Sequence, residues 1–359
     1  MRILHIITSL STGGAEKLMV DLLPRLRGRG YDIELAIFDG RITPFYNELS
    51  EKGVKIHRFM PKGGNVYNPI NLLKLLWLVR KGRYDIVHTH NTAPQLFAAV
   101  VSIFSSARFV TTEHNTSNRR RGWKGYVIID RWMYGRYQRV ICISQKAEDM
   151  LRSYLGDVRV GICTINNGID ILKYSDAASS TGLERIAPSS RKLMMVAGFR
   201  EQKDQDTLIK ALTHLPPKFH LFLVGDGARR PELEALCKSE GVGDRVHFLG
   251  MRTDVPNLLH AADYVVMSSH FEGLSLSSVE GMSVGKPFLA SDVDGLREVV
   301  EGAGILFPHS DAEALALEIT KLEDDVKEYQ TVANACRKRA GQFDIATMVD
   351  GYSKIYTSI

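Results

Sequence analysis

Cysteine is scarce in this chain and does not cluster. Cys142, Cys163, Cys237 and Cys336 lie far apart with no CxxC pair, so neither a disulfide framework nor a zinc knuckle is indicated. No apolar run approaches the ~20 residues that span a bilayer. The start, MRILHIITSLSTGG, has one positive charge and an apolar stretch that stops at a polar turn, and it reads as a buried first strand rather than a signal peptide. With 44% apolar and 24% charged residues, the composition excludes a largely disordered or collagenous chain. What is left, at 359 residues, is a cytoplasmic, reducing-compartment protein of about two domains.

Acidic residues are nearly absent from one stretch. Between Arg119 and Arg139 there are seven basic residues (Arg119, Arg120, Arg121, Lys124, Arg131, Arg136, Arg139) against Asp130 alone, while the whole chain carries +5. The basicity is one local patch, interleaved with Trp123, Tyr126, Trp132, Tyr134 and Tyr137. No nucleic-acid motif accompanies it, so nucleic acid is not an expected partner. An anionic membrane surface fits better, since Trp and Tyr suit the headgroup level and Arg and Lys attract anionic lipid. A second stretch, Asn71–Lys81, is apolar on much of its circumference with a basic end. The plain alternative is a surface helix with aromatics packed inward and arginines solvated.

Apolar runs alternate with amphipathic stretches along the chain. Strands are expected at 2–8, 31–38, 54–59, 85–90, 108–114 and 139–144; after a small, polar stretch at 175–191 the alternation restarts with KLMMVAGF, FHLFLVGDG, RVHFLG, DYVVMSS, KPFLAS and GILF. Continuous rather than alternating hydrophobicity means strands buried on both faces, the parallel, doubly wound α/β case. We read two Rossmann-like domains facing across a cleft: 1–174, a linker at 175–191, and 192–343, with 344–359 as a terminal helix. Ligands of such sheets sit beyond the carboxyl ends of the strands.

The residues at those ends are the candidates. Gly13 and Gly14 open the first helix, where backbone can approach an anion closely. His88 and His90 share one strand face, and Glu113-His114-Asn115 ends the next strand, so a metal held by His88, His90 and His114 is one reading, a backbone-bonded His88 another. His114, beside a carboxylate, is the better functional candidate. Arg200 and Lys203 follow the first strand of the second half and are placed to clamp a diphosphate. In Ser268–Asp292, seven residues separate Glu272 from Glu280, which puts one carboxylate in a loop and the other in a helix starting near Ser275. The N–H groups of Leu274, Ser275 and Leu276 suit phosphate, and carboxylates suit the vicinal diols of a sugar.

These motifs resemble the nucleotide-sugar-dependent glycosyltransferases of family 4, which have the GT-B fold. The resemblance covers nearly the whole chain and rests on Gly13-Gly14-Ala15-Glu16, Val87-His88-Thr89-His90, Glu113-His114-Asn115, Asn167-Gly168-Ile169-Asp170, Gln202-Lys203-Asp204, Gly225-Asp226-Gly227 and, most specifically, the E-x7-E pair Glu272/Glu280. It implies that Glu280 binds the donor ribose and Glu272 the sugar hydroxyls, with Gly273 and Leu274 lending N–H groups. Lys203 then holds the diphosphate, Gly14 faces the donor phosphates, and His114 faces the transferred sugar. Base contacts fall around Phe248–Arg252, including Gly250. The family's usual arginine falls at position 198, which is Gly198 here, and Arg200 is the candidate to replace it. The family retains anomeric configuration, usually without a metal, so no metal and no cofactor beyond the donor, by default a UDP-sugar, is expected. The expected acceptor is a saccharide or polyprenyl-linked saccharide at the inner face of the membrane. A sugar-nucleotide epimerase or hydrolase, or a non-catalytic sugar-nucleotide-binding module, are the alternatives; the E-x7-E pair favours transfer.

Overall fold

The computed structural model describes residues 1–11, 13–114 and 125–359. Its strands are β1 (Arg2–Ile7), β2 (Asp32–Asp39), β3 (Lys55–Met60), β4 (Ile86–His90), β5 (Arg108–Glu113), β6 (Arg139–Cys142), β7 (Gly161–Thr164), β8 (Arg191–Val196), β9 (Phe219–Val224), β10 (Val246–Gly250), β11 (Tyr264–Met267), β12 (Phe288–Ser291) and β13 (Ile305–Phe307). The α-helices are α1 (Gly14–Gly28), α2 (Pro44–Glu51), α3 (Pro69–Gly82), α4 (Thr92–Val101), α5 (Tyr126–Tyr134), α6 (Gln145–Leu155), α7 (Ile171–Ser175), α8 (Gly182–Ile186), α9 (Gln205–Ala211), α10 (Arg230–Ser239), α11 (Val255–Ala261), α12 (Leu276–Ser283), α13 (Arg297–Val300), α14 (Ala312–Asp324), α15 (Val326–Ala340) and α16 (Ile345–Ser358). They form two compact units, Met1–Asn167 with Ile345–Ile359, and Gly168–Asp344.

The first unit is a parallel sheet in the order β3-β2-β1-β4-β5-β6-β7. Its strands read as continuous apolar runs because helices cover both faces. Leu75 and Leu78 of α3, Phe97 of α4, Met133 of α5 and Leu151 of α6 pack on one face. Leu22 and Leu26 of α1, Leu49 of α2, and Met348, Val349 and Tyr352 of α16 pack on the other. The second unit is a parallel sheet in the order β10-β9-β8-β11-β12-β13 around one core. Each sheet has one place where the chain order reverses: β1 beside β4, and β8 beside β11. Such switch points open a crevice beyond the strand ends.

Two expectations change: the first unit ends at Asn167 rather than at 174, and no linker separates the units. The stretch 175–191 is no free linker: it belongs to the second unit, where α8 buries Leu183, the Ser180 amide donates to the Asn257 carbonyl (3.0 Å), and Lys192 pairs with Glu184 (2.7 Å). Its apolar residues are too few to show a period, yet Leu183 and Ala187 are enough to anchor it. The edge strand β7, short and only half-buried, has no apolar run to announce it. Asn115 and the Arg119, Arg120, Arg121, Trp123 and Lys124 part of the basic patch lie outside the described residues.

Candidate functional site

In the second unit the switch point gathers the strongest sequence candidates. Lys203 ends a single 3-10 turn after β8, and Glu272 lies in the loop after β11. Because β8 and β11 are neighbours, the Lys203 ammonium meets the Glu272 carboxylate directly. The Ser269 hydroxyl donates to the same Glu272 oxygen (2.6 Å), and Ser269 is itself held by the Ser291 hydroxyl on its carbonyl (2.6 Å). Behind this loop lies Gly295, at φ +82°, where any Cβ would run into the carbonyl oxygens of Glu272 and Gly273. That glycine, which no motif reading singled out, is what lets the two loops stack.

The helix α12 starts one residue after Ser275, whose side chain does not cap it and instead accepts from the Ser278 hydroxyl (2.8 Å). The first turn, with the Leu274–Leu276 backbone leading into it, therefore keeps its positive end for a ligand. Glu280, inside α12, accepts a hydrogen bond from the Tyr174 hydroxyl of α7 (2.6 Å). A carboxylate has acceptor capacity for several donors at once, so Tyr174 orients Glu280 without exhausting it.

The glycines fall at strand ends. Gly225 (φ +136°), after β9, donates its amide to the Gly250 carbonyl at the end of β10 (2.9 Å), and a Cβ there would strike the Ala197 carbonyl oxygen. Arg200 lines a cavity of about 650 Å³ with Phe199, Glu201, Asp226, Gly227 and Arg229. Its Nε lies 3.9 Å from where a Cβ on Gly198 would stand, so the Arg200 side chain runs beside that position. Arg229, in the same cavity wall, is held by two bonds to Asp206 (2.7 and 2.9 Å).

In the first unit the switch point holds histidines. Strand period puts His5, His88, Thr112 and His90 on the α16 side of the sheet, with His5 opposite His88 and His90 opposite Thr112. They form one hydrogen-bonded chain. Thr112 Oγ1 meets His88 Nε2 (2.8 Å), His88 Nδ1 meets the Tyr356 hydroxyl (2.6 Å), and that hydroxyl meets His5 Nε2 (3.3 Å). His5 Nδ1 meets His90 Nε2 (3.1 Å), and His90 Nδ1 meets His114 Nε2 (3.0 Å). Burial keeps the imidazoles neutral: desolvation pushes His5 down to about 3 and His114 to about 4, and desolvation with the charge of neighbouring histidines holds His88 and His90 well below the usual histidine range.

A neutral imidazole donates at one nitrogen and accepts at the other. The His5–His90–His114 links therefore share one direction, which decides the hydrogen-bonding role that the Nδ1 of His114 presents, while the Tyr356 hydroxyl, able to donate once and accept twice, joins His88 to them. His88 is bonded to side chains, not to backbone, which corrects one reading. The trio that comes within 4.8 Å is His5, His88 and His90, not His88, His90 and His114, and each ring nitrogen of that trio already has a partner. Glu113 is not the partner of His114 either: successive strand residues face opposite ways, and Glu113 accepts from Tyr134 on the far face. His5 and Tyr356 went unnoticed because a lone strand histidine and a tail tyrosine carry no motif. At the start of α1, Gly13 lies under the Glu16 carboxylate, whose burial raises its pKa, while Gly14 faces open space.

Comparisons with known proteins place the chain in a family. The family described as Glycosyltransferase Family 4 matches residues 12–172, and that described as Glycosyl transferases group 1 matches residues 184–339. The chain is 30% identical to a D-inositol 3-phosphate glycosyltransferase of Xylanimonas cellulosilytica, covering 76% of this chain and 73% of that protein. It is 23% identical to the UDP-Gal:alpha-D-GlcNAc-diphosphoundecaprenol alpha-1,3-galactosyltransferase of Escherichia coli, covering 99% and 96%. Among solved structures, Anabaena HepE in complex with UDP-glucose superposes with a TM-score of 0.83 at 25% identity over the full length of both chains. Two parallel-sheet Rossmann-like units of the GT-B class, with the E-x7-E pair seated at the second unit's switch point, thus make this chain a member of the family 4 glycosyltransferases.

Proposed function

We propose that this glycosyltransferase moves a sugar from a UDP-sugar to a saccharide or lipid-linked saccharide acceptor, with retention of configuration and without a metal in the transfer step. The observation that carries the reading is the Lys203–Glu272 pair at the β8/β11 switch point, beside the uncapped start of α12 that leads to Glu280. As the bond between the anomeric carbon and the diphosphate oxygen breaks, negative charge grows on the diphosphate. Lys203, Arg200 and the α12 amides stabilise that growing charge, Glu280 accepts from the ribose hydroxyls, and Glu272 accepts from the sugar. Gly225, Gly250, Gly273, Leu274 and Ser275 lend backbone to the same donor. We assign His114 to the transferred sugar and Gly13 and Gly14 to the phosphates. Similarity to a UDP-Gal-dependent enzyme and to a UDP-glucose-bound structure supports the choice of UDP.

The acceptor reading draws on the surface of the first unit. No helix of the described residues is long and apolar enough to cross a membrane. On α3, however, Leu73 and Trp77 are 65% and 61% exposed, and on α5 Ile128 is 72% exposed beside exposed Trp132; both helices cover the same sheet face. Lys81 stands over the Trp77 ring at 4.5 Å. Apolar and aromatic side chains edged by cations suit a peripheral membrane surface. In α5 and just after it, Tyr134 and Tyr137 pack inward and Arg131 donates to the Leu155 carbonyl, so only part of this segment faces outward. The test is incubation with UDP-sugars, with and without polyprenyl-linked saccharide, in the presence and absence of a chelator. Transfer that retains the anomeric form and survives chelation is expected. Fast donor turnover without acceptor would instead mark an epimerase or hydrolase.

A further inference from the structure

Three loops at the carboxyl end of the second unit's sheet bring two histidines and a carboxylate together. Asp204 follows Lys203 and caps α9, His270 lies between β11 and Glu272, and His309 follows β13. His270 Nδ1 stands 2.7 Å from His309 Nε2 and 3.7 Å from Asp204 Oδ2, and all three donor atoms lie within 4.8 Å of one another. The Ser310 hydroxyl is 3.2 Å from His309 Nε2 and 3.5 Å from Asp204 Oδ2. Donors on a tetrahedral zinc ion, with bonds near 2.0–2.1 Å, stand about 3.3 Å apart. The two measured separations bracket that value, so small side-chain rotations seat an ion.

The ligand set has the right chemistry. Two imidazoles and one carboxylate suit ions of zinc's class rather than calcium or magnesium. The Asp204 side chain is 5% exposed and accepts from the Thr207 hydroxyl (2.7 Å), which orients it, while His270 and His309 are open enough to admit an ion. The backbone adds an independent sign. Only five described non-glycine residues have positive φ, and two of them, Asp204 (46°) and Ser310 (59°), belong to this cluster. Backbone held this way marks a place the fold over-determines. The other histidine groups differ: His5, His88 and His90 are fully buried, whereas the mutually bonded His270 and His309 are open to an ion that would replace their contact, and the His220–His247 pair (3.0 Å) has no acidic third member among the described residues.

We propose that Asp204, His270 and His309 bind one divalent transition ion of the zinc class. The ion clamps the loop carrying Glu272 to the turn carrying Lys203 and to the turn after β13. It sits beside the transfer site and takes no part in its chemistry, so the proposal stands independently of the donor reading. The test uses tag-free protein stripped with chelator and titrated with Zn²⁺ by calorimetry. One equivalent bound with micromolar affinity is expected, with hydrogen exchange slowed across residues 268–274. His270→Asn and His309→Asn should each weaken binding at least about tenfold and abolish the slowing, whereas His220→Asn should do neither. Cobalt in place of zinc should give the visible bands of a four-coordinate site. Absence of saturable micromolar binding, equal binding by the two variants, or loss on His88→Asn alone would overturn the site.

Discussion

Replacing Tyr356 by Phe removes one oxygen and leaves the packing of α16 intact. That oxygen joins His88 Nδ1 (2.6 Å) and His5 Nε2 (3.3 Å), and all three side chains are fully buried. Without it, two ring nitrogens lose their partner in a place water does not reach. A buried polar group left unpaired costs about 1–3 kcal/mol, so two cost about 2–6 kcal/mol. Relief of the hydroxyl's own burial places the net in the lower part, about 2–4 kcal/mol. At about 1.4 kcal/mol per tenfold, amides of β1, β4 and α16 that exchange by cooperative opening should exchange about 30- to 1,000-fold faster. The assay is native-state hydrogen exchange, with Tyr352→Phe as the comparison. Tyr352 gives up only a 3.2 Å contact with the Thr112 hydroxyl, which keeps His88 as a partner. An effect of Tyr356→Phe no larger than that of Tyr352→Phe would refute the idea that the imidazole chain depends on this hydroxyl.

Glu280→Ala should weaken UDP binding by about 1.5–3 kcal/mol, roughly 10- to 150-fold, because ribose hydroxyls lose a charged acceptor; unchanged affinity by calorimetry would remove Glu280 from the donor site. Lys203→Ala should lower turnover at saturating donor more than it lowers UDP affinity, since the ammonium meets growing charge; a loss of UDP affinity with turnover at saturation intact would count against that role. Acid should destabilise the first unit. His5 (about 3) and His114 (about 4) have folded pKa values below the unfolded ~6.5, and His88 and His90 shift the same way, so the unfolded state binds more protons below pH 6.5. The stability is complete above that pH and is lost as pH falls towards 4, at about 1.4 kcal/mol per pH unit for each histidine. Urea unfolding followed between pH 7.5 and 5 should show a slope above one proton; a flatter profile would contradict a neutral buried chain.

Several features of this protein were legible one segment at a time. Runs such as RILHII and FHLFLV announce strands because burial on both faces demands continuous apolar residues. The Glu272/Glu280 spacing announces a loop carboxylate followed by a helical one, and α12 begins within a residue of the expected start. His88 and His90 announce a shared face, since strand period is local. Neighbours across the sheet are another matter. Nothing in the first strand says that β1 will lie beside β4, or β8 beside β11; the crossover order decides that. Only tertiary structure therefore paired Lys203 with Glu272, 69 residues apart, gave Glu280 its Tyr174, 106 residues away, and set Tyr356 against His5 across 351 residues. Motif residues such as Lys203, Glu272 and Glu280 were visible in their own segments, whereas His5, Tyr174 and Tyr356 were not, because a hydrogen bond needs two groups within about 3 Å and that distance is set by how distant segments pack.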